Sequence, residues 1–271
     1  MPVRSSETST RSMVSTVRRS AFVLLLVASV FRPAVSAAQS FNRDSVRAAV
    51  ERGVISSDWP SVERAVVAFR AATQSAAGRS DAWLHYDLAY ALHRRASGLI
   101  VEDRASAAKA MLEEAVAAAA RSRALGGGAA AQGLEGAVTG QLAGAAGGMA
   151  MMRFGRASLK LLDEAVAAAP NDPRVAMLNG ITRANAPAFA GGGAARAEAE
   201  LRRAIALYAT DRSASPLPTW GRADAHIWLA IVLEKQDKIP EARAELTRAL
   251  ALAPGHRWVV ETLQPRLARR R

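Results

Sequence analysis

A small, a large and again a small side chain, spaced four and three residues apart, recur five times along this sequence. The five trios are Ala65–Phe69–Ala72, Ala108–Leu112–Ala115, Ser158–Leu162–Ala165, Ala197–Leu201–Ala204 and Ala242–Leu246–Ala249. At this spacing all three residues of a trio lie on one stripe of an α-helix, where the small ones admit a neighbouring helix and the large one fills the gap. The trios therefore predict an all-α chain of closely packed helices.

Each trio helix is preceded by a second helical segment, so the helices come in pairs. Two of the trio helices end at Pro170 and Pro254, because proline lacks the N–H that would continue a helix. We predict about five antiparallel pairs and a C-terminal capping helix, with the following approximate bounds: 44–77, 80–122, 129–170, 173–209 and 222–254 for the pairs, and 256–269 for the cap.

The last pair carries a specific pattern of small, large and proline residues within one 34-residue unit. Its residues at the family's positions are Leu229, Ala230, Leu233, Ala242, Leu246, Ala249 and Pro254. The chain resembles tetratricopeptide repeat (TPR) proteins on these residues. Earlier pairs match in part, through Trp83, Tyr86 and Tyr90 and through Asn179 and Gly180. The resemblance implies an α-solenoid whose first helices line a concave groove.

The repeats are irregular, because successive trios begin at residues 65, 108, 158, 197 and 242 instead of every 34 residues. The extra residues fall at 95–103, 140–156, 186–193 and 210–222, and we expect them to project as long loops. The sequence does not decide the conformation of the Gly-rich residues 140–155. Residues 187–193 read Pro-x-Phe-x-Gly-Gly-Gly, a loop similar to one in exported bacterial TPR proteins.

Three glycines, residues 191–193, stand directly before a helix and raise the question of a phosphate site. A nucleotide-binding P-loop needs Lys and Ser or Thr straight after its glycines, and a strand before them. Here Ala194, Ala195 and Arg196 follow, and no strand pattern precedes. The glycines are therefore predicted to form a turn between two helices.

Catalytic and metal motifs are missing from the sequence. The four histidines, at positions 85, 93, 226 and 256, form no His-Glu-x-x-His motif, and the chain has no cysteine. No Gly-x-Ser-x-Gly motif occurs. The sequence therefore predicts a protein that is not an enzyme, with no catalytic residues, no metal site and no cofactor.

The N-terminus has the three parts of a secretory signal: Arg18 and Arg19, an apolar run over residues 21–31, and small residues that end at Ala38. The run is shorter than the 20 or so residues that span a bilayer. We predict a signal peptide over residues 1–38, cleaved near Ala38, with an uncleaved anchor as the alternative. A single domain over 39–271 would then be periplasmic or extracellular, touching the membrane only transiently through the signal.

The formal charge of +12, from 36 basic and 24 acidic residues, suggests nucleic acid as a partner. Five arginines and one glutamate lie in the first 38 residues, and most of the remaining charge is scattered along the helices. Scattered arginines are typical of solvated helix faces. No nucleic-acid partner is expected.

Two kinds of function fit these expectations. One is an interaction scaffold that binds a peptide or partner helix in the groove, and the alternative is a component that binds a small ligand or lipid. Carried over from the TPR resemblance by matching positions, the groove would be lined by Asp81, Leu84, Leu88, Arg174, Met177, Ile181, Asp224, Ile227 and Ile231. These residues could instead pack the first helices against one another.

Overall fold

The computed structural model describes residues 41–270. The predicted signal peptide and its cleavage near Ala38 lie outside these residues. Within the described range there is no strand, and ten helices form five consecutive pairs: α1 Arg43–Ser56 with α2 Trp59–Gln74, α3 Ala82–Val101 with α4 Ala105–Ser122, α5 Gly128–Ala146 with α6 Gly148–Ala168, α7 Pro173–Asn185 with α8 Ala194–Thr210, and α9 Arg222–Lys235 with α10 Ile239–Leu252.

The first helices of the pairs form a layer of their own, in which α1 touches α3, α3 touches α5, α5 touches α7, and α7 touches α9. Neighbours in this layer run parallel. A Cβ placed on Gly133 would meet Val175 at 3.2 Å, and one on Gly140 would meet Thr182 at 3.5 Å, so α5 and α7 keep the same register over seven residues. The predicted α-solenoid of five antiparallel helix pairs is confirmed.

The trio stripes lie between the two helices of each pair. Every trio residue in the second helices is buried except Ala72, which is half-buried. Glycines of the first helices face the large trio residues: a Cβ on Gly136 would come within 2.8 Å of Leu162, and one on Gly180 within 2.8 Å of Leu201. The two backbones therefore approach closely because one side supplies glycine and the other leucine.

Two of the four expected loops are helical instead. Residues 95–101 extend α3 to 20 residues, and the Gly-rich residues 140–156 lengthen α5 and α6 to 19 and 21 residues, against 14 each for α9 and α10. Ala and Gly leave little side chain between the helices, so α5 and α6 approach closely where Gly136 faces Leu162 and Gly140 faces Ser158. The chain reverses only at Gly147 and Gly148, which have φ of +68° and +52°.

The other two insertions are loops, as predicted. The turn of residues 186–193 joins α7 to α8, and Gly191 and Gly193 take φ of +87° and +112°, a conformation that favours glycine. This confirms the prediction that the glycines form a turn. Residues 211–221 form the longest connection, between α8 and α9, which we call the inner segment.

The C-terminal residues cover the end of the stack. After α10, a helical turn at Val259–Leu263 continues into α11, Gln264–Ala268. Val259, Leu263 and Leu267 are buried, and Arg266 Nε donates to Glu234 Oε1 of α9 at 2.9 Å. A capping helix closes the last pair in this way. No helix in the described part of the chain is both long and apolar enough to cross a membrane.

Candidate functional site

The nine residues predicted to line the groove all belong to α3, α7 and α9, Asp81 as the N-cap of α3. Five of them are buried: Leu84, Leu88, Arg174, Met177 and Ile227. The remaining four are half-buried: Asp81, Ile181, Asp224 and Ile231. The packing alternative expects burial of this kind, and the polar members hold ion pairs within the chain. The nine residues as a binding site stay a prediction.

One ion pair crosses the inner face of the solenoid, the side lined by the first helices. Arg94 Nη1 of α3 donates to Asp224 Oδ2 of α9 at 3.0 Å, although α5 and α7 separate these helices along the stack. Arg94 also lies 3.3 Å from the Tyr90 hydroxyl, which donates to Glu51 Oε1 of α1 at 2.7 Å. These four residues are called the inner cluster, and they connect α1, α3 and α9.

Arg94 is the shared cation of the inner cluster. Burial raises the pKa of Glu51 above its ordinary value, although the charge of Arg94 acts in the opposite direction. Burial acts the same way on Asp224, but there the charge and hydrogen bond of Arg94 prevail, and the pKa of Asp224 is lowered. Arg94 therefore neutralises Asp224 more effectively than Glu51.

The inner segment lies against the same face. Arg47 of α1 donates to the carbonyl oxygens of Pro216 and Leu217 at 2.6 and 3.2 Å. The Trp220 ring stacks on the Tyr90 ring with centroids 4.2 Å apart and planes at 16°. These contacts hold a non-helical stretch of chain across the inner face.

The start of the inner segment is anchored by a predicted groove residue. Arg174 Nη2 donates to Asp211 Oδ2 at 2.6 Å, and the guanidinium carbon lies 5.5 Å from the centroid of the Tyr208 ring. The side chains of Arg174 and Asp211 are both largely buried. Arg174, which was predicted to line the groove, thus binds part of its own chain.

Arg47 is held in place by a buried carboxylate. Its Nε donates to Asp87 Oδ1 of α3 at 2.8 Å, and Arg43, one turn earlier on α1, lies 3.5 Å from the other oxygen. Burial raises the pKa of Asp87 to about 7 despite the two guanidiniums. Sequence reasoning missed Arg43, Arg47 and Asp87, although an arginine four residues after another on α1 was a visible signal.

No group of three or more potential ligand side chains that could hold a metal ion occurs among residues 41–270. Two clefts in the described part of the chain are small and open to solvent. One, of about 330 Å³, lies between α1 and α2 beside Val46 and Ala65. The other, of about 210 Å³, lies between α8, α9 and α10 beside Tyr208 and His226. Neither cleft includes a residue of the inner cluster.

His93, next to the inner cluster, gives a prediction about pH. Its Nδ1 lies 2.7 Å from Gln141 Oε1, and burial, reinforced by the charge of Arg94, lowers its pKa to about 4. Unfolded chains carry histidine with a pKa near 6.5, so the unfolded state gains a proton first as the pH falls. Stability should therefore decrease between about pH 6.5 and 4, by up to about 3 kcal/mol from this residue.

The His93→Gln variant should lose less stability over that pH range than the parent, because glutamine does not titrate. Urea unfolding at pH 7 and pH 4.5 measures the difference, and His226→Gln is the control, since His226 lies at a separate ion pair with Glu245. Equal losses of stability in the parent and in His93→Gln would contradict the prediction.

The geometry defines an all-helical solenoid of paired helices whose inner face is crossed by its own side chains. Of three comparisons with known proteins, only the one with solved structures finds similar chains. No model of a protein family matches the sequence. No curated protein matches it either.

Similarity is found among solved structures. The HusA haemophore from Porphyromonas gingivalis superposes with a TM-score of 0.55 at 22% identity, over 71% of this chain and 92% of that one. YrrB, a TPR protein with an unusual peptide-binding site, superposes with a TM-score of 0.36 at 18% identity, over 79% of this chain and 90% of that one. The assembly chaperone of RpL4 superposes with a TM-score of 0.35 at 13% identity, over 83% of this chain and 95% of that one. Scores below 0.5 do not establish a shared fold, so the assignment rests on HusA and on the packing.

Proposed function

We propose that this chain is a non-enzymatic interaction scaffold of the bacterial cell envelope that holds a peptide or helix of a partner protein on its inner face. After cleavage near Ala38 it would be periplasmic or extracellular. The proposal involves no cofactor and no nucleic acid.

The observation that carries the proposal is the way the inner face holds the inner segment. Arg47 binds two main-chain carbonyl oxygens, and Tyr90 binds an aromatic ring by stacking. Main-chain carbonyls are present in every peptide, and a flat ring accepts any aromatic side chain. An inner face with these groups can therefore hold a non-helical peptide from another protein in the same manner as its own segment.

The inner segment is also accessible to exchange. Pro216 and Leu217 are exposed, whereas Arg47 is only slightly exposed and Asp87, which orients it, is buried. The receiving groups are thus fixed by the helices, while the part of the segment that Arg47 binds lies on the surface. The Arg47 guanidinium is already fixed, and the carbonyl oxygens that it binds could be replaced by those of another peptide. This arrangement supports a recognition surface, because little entropy is lost in ordering the side chain that binds the peptide.

The test is to open the inner face and offer the peptide separately. In the open variant, residues 213–219 are replaced by a Gly/Ser sequence of equal length and Trp220→Ala is added, while Asp211 is retained. A labelled peptide SASPLPTWG, residues 213–221, is then titrated by fluorescence anisotropy. We expect at least about tenfold tighter binding to the open variant than to the parent, whose own segment competes.

Two controls make the test specific. Adding Arg47→Met to the open variant should remove most of the binding, and a scrambled peptide should bind weakly. Thermal melts establish that each variant is folded, and the single variant Trp220→Ala replaces the open variant if that one does not fold. A folded open variant that binds the peptide no better than its Arg47→Met derivative would overturn the proposal.

The small-ligand alternative has one observation in its favour, the similarity in fold to a protein described as a haemophore. Haemin is therefore the appropriate small-molecule probe. A saturable change in its absorbance with the parent chain, accompanied by no peptide binding to the open variant, would favour the alternative over the scaffold.

A further inference from the structure

The most exposed large apolar side chains of the described residues lie at one edge of the solenoid. Phe189 is 94% exposed and Met149 is 88% exposed, and Met151 and Met152 follow Met149 on α6. Single exposed apolar residues are ordinary, but a set of them at one edge indicates a contact surface. This edge is remote in sequence from the inner cluster and from the inner segment.

The two tips that carry these residues lie at the same edge of the stack. The α5–α6 reversal and the α7–α8 turn both join a first helix to a second helix, so they belong to the same edge of the stack. The register between α5 and α7 pairs residue 133 with 175 and residue 140 with 182. The α5 and α7 helices therefore run side by side toward this edge, where α7 ends at Asn185 and α5 at Ala146. We call residues 147–156 and 186–196 the docking edge.

Basic side chains lie directly behind the apolar ones. On α6, Met149 and Met152 share a face with Arg153 and Arg156, because these positions are three, four and seven residues apart. Both arginines are exposed. In the first turn of α8, Arg196 is exposed and donates to the carbonyl oxygen of Gly191, two residues after Phe189, at 3.1 Å.

The docking edge has no acidic residues. Residues 136–162 and 173–197, which include both tips, contain neither Asp nor Glu. The nearest exposed acid on α6 is Asp163, which is paired with Arg183. A second copy of the chain is a poor partner for this edge, because it would bring the arginines of both copies together.

We propose that the docking edge binds the surface of a bilayer that contains anionic phospholipids. Met149, Met152 and Phe189 would enter the interface, and Arg153, Arg156 and Arg196 would bind lipid phosphates. Apolar tips with cations one turn behind them match the layering of a bilayer surface, where acyl chains lie beneath charged headgroups. The tips protrude from the fold, which suits insertion into lipid better than burial against a protein groove.

Vesicle flotation tests this proposal with the chain that begins at Gln39, since residues from Phe41 onward form one compact unit with a continuous core. The probes are vesicles that contain phosphatidylglycerol and vesicles of phosphatidylcholine alone. We expect the parent to float with the anionic vesicles and to bind them less at high salt. Met149→Ser with Phe189→Ser should reduce the binding by about tenfold or more.

Matched variants separate docking from non-specific attraction. Val67→Ser with Val260→Ser removes two exposed apolar side chains outside the docking edge and should bind as the parent does. Arg153→Gln with Arg156→Gln should weaken the preference for anionic vesicles. In Phe189→Trp, the added fluorescence should shift to shorter wavelength when anionic vesicles are present.

Three results would overturn the proposal. The first is a parent that does not float with anionic vesicles at low salt. The second is equal binding by the Met149→Ser/Phe189→Ser and Val67→Ser/Val260→Ser variants. The third is an emission spectrum of Phe189→Trp, measured as the difference from the parent, that vesicles leave unchanged. None of these measurements depends on the inner face, so failure here leaves the proposed peptide scaffold to its own test.

Discussion

Replacing Asp211 with alanine is expected to lower the free energy of unfolding by about 3–5 kcal/mol, because it leaves a buried guanidinium without its partner. The side chain of Arg174 is 3% exposed and that of Asp211 is 11% exposed. The remaining contact of Arg174 Nη1 is a long one, 3.5 Å to the Ser213 hydroxyl. Water cannot readily replace the carboxylate at this depth.

Urea unfolding of the parent and of Asp211→Ala measures this loss. Asp163→Ala is the matched control: Asp163 also pairs with an arginine of α7, but its side chain is 60% exposed, so its removal should cost less than about 1 kcal/mol. Adding Arg174→Met to Asp211→Ala should restore part of the stability, since it removes the unpaired charge. Equal, small losses for the two aspartate variants would show that Arg174 is not buried as described.

Leu201→Ala is the second variant with a large expected effect, a loss of about 2–5 kcal/mol. Leu201 is fully buried and fills the space left by Gly180 on the facing helix, 2.8 Å from where a Cβ on that glycine would lie. Gly180 has no side chain that could move into the vacated volume. The cavity should therefore persist rather than collapse, which places the cost toward the upper end of the range.

The control for Leu201→Ala is Leu252→Ala, at the end of α10, because Leu252 is among the exposed leucines. The same chemical change at the surface should cost less than about 1 kcal/mol. Thermal or urea unfolding of both variants is sufficient. If Leu201→Ala were no more destabilising than Leu252→Ala, the trio stripe would not form the contact between the helices of pair four.

Much of the fold was predictable, because it depends on local patterns. The trios of small and large residues identify the buried stripe on the second helix of each pair. Pro173 and Pro240 occur in the first turns of α7 and α10, where proline is favoured. A loop was expected at residues 95–103, and the conformation of residues 140–155 was left open. Both stretches are largely helical, for a physical reason. Glycine favours loops in isolated chains, but a helix beside another helix gains packing that offsets this preference.

For the candidate site, the sequence predicted only which residues lie in the layer of first helices. Matching positions placed Arg174 and Asp224 among the first helices, where they lie. Their partners Asp211 and Arg94 could not be found in this way, since each pair joins residues 37 or 130 positions apart. Such contacts depend on how far the stack curves, and curvature is the sum of many small rotations between neighbouring helices.

The sequence by itself determined the helices, their pairing and the face that each one buries, because the 3.6-residue period links residues close in the chain. Tertiary structure alone decided that the inner face is crossed by Arg94 and Asp224 and covered by the inner segment. It also decided which exposed residues share an edge, since the pairing of the helices puts the α5–α6 reversal, with Met149, and the α7–α8 turn, with Phe189, at the same end of the stack. Side-chain contacts of this kind depend on distances between helices, and no pattern along one helix contains those distances.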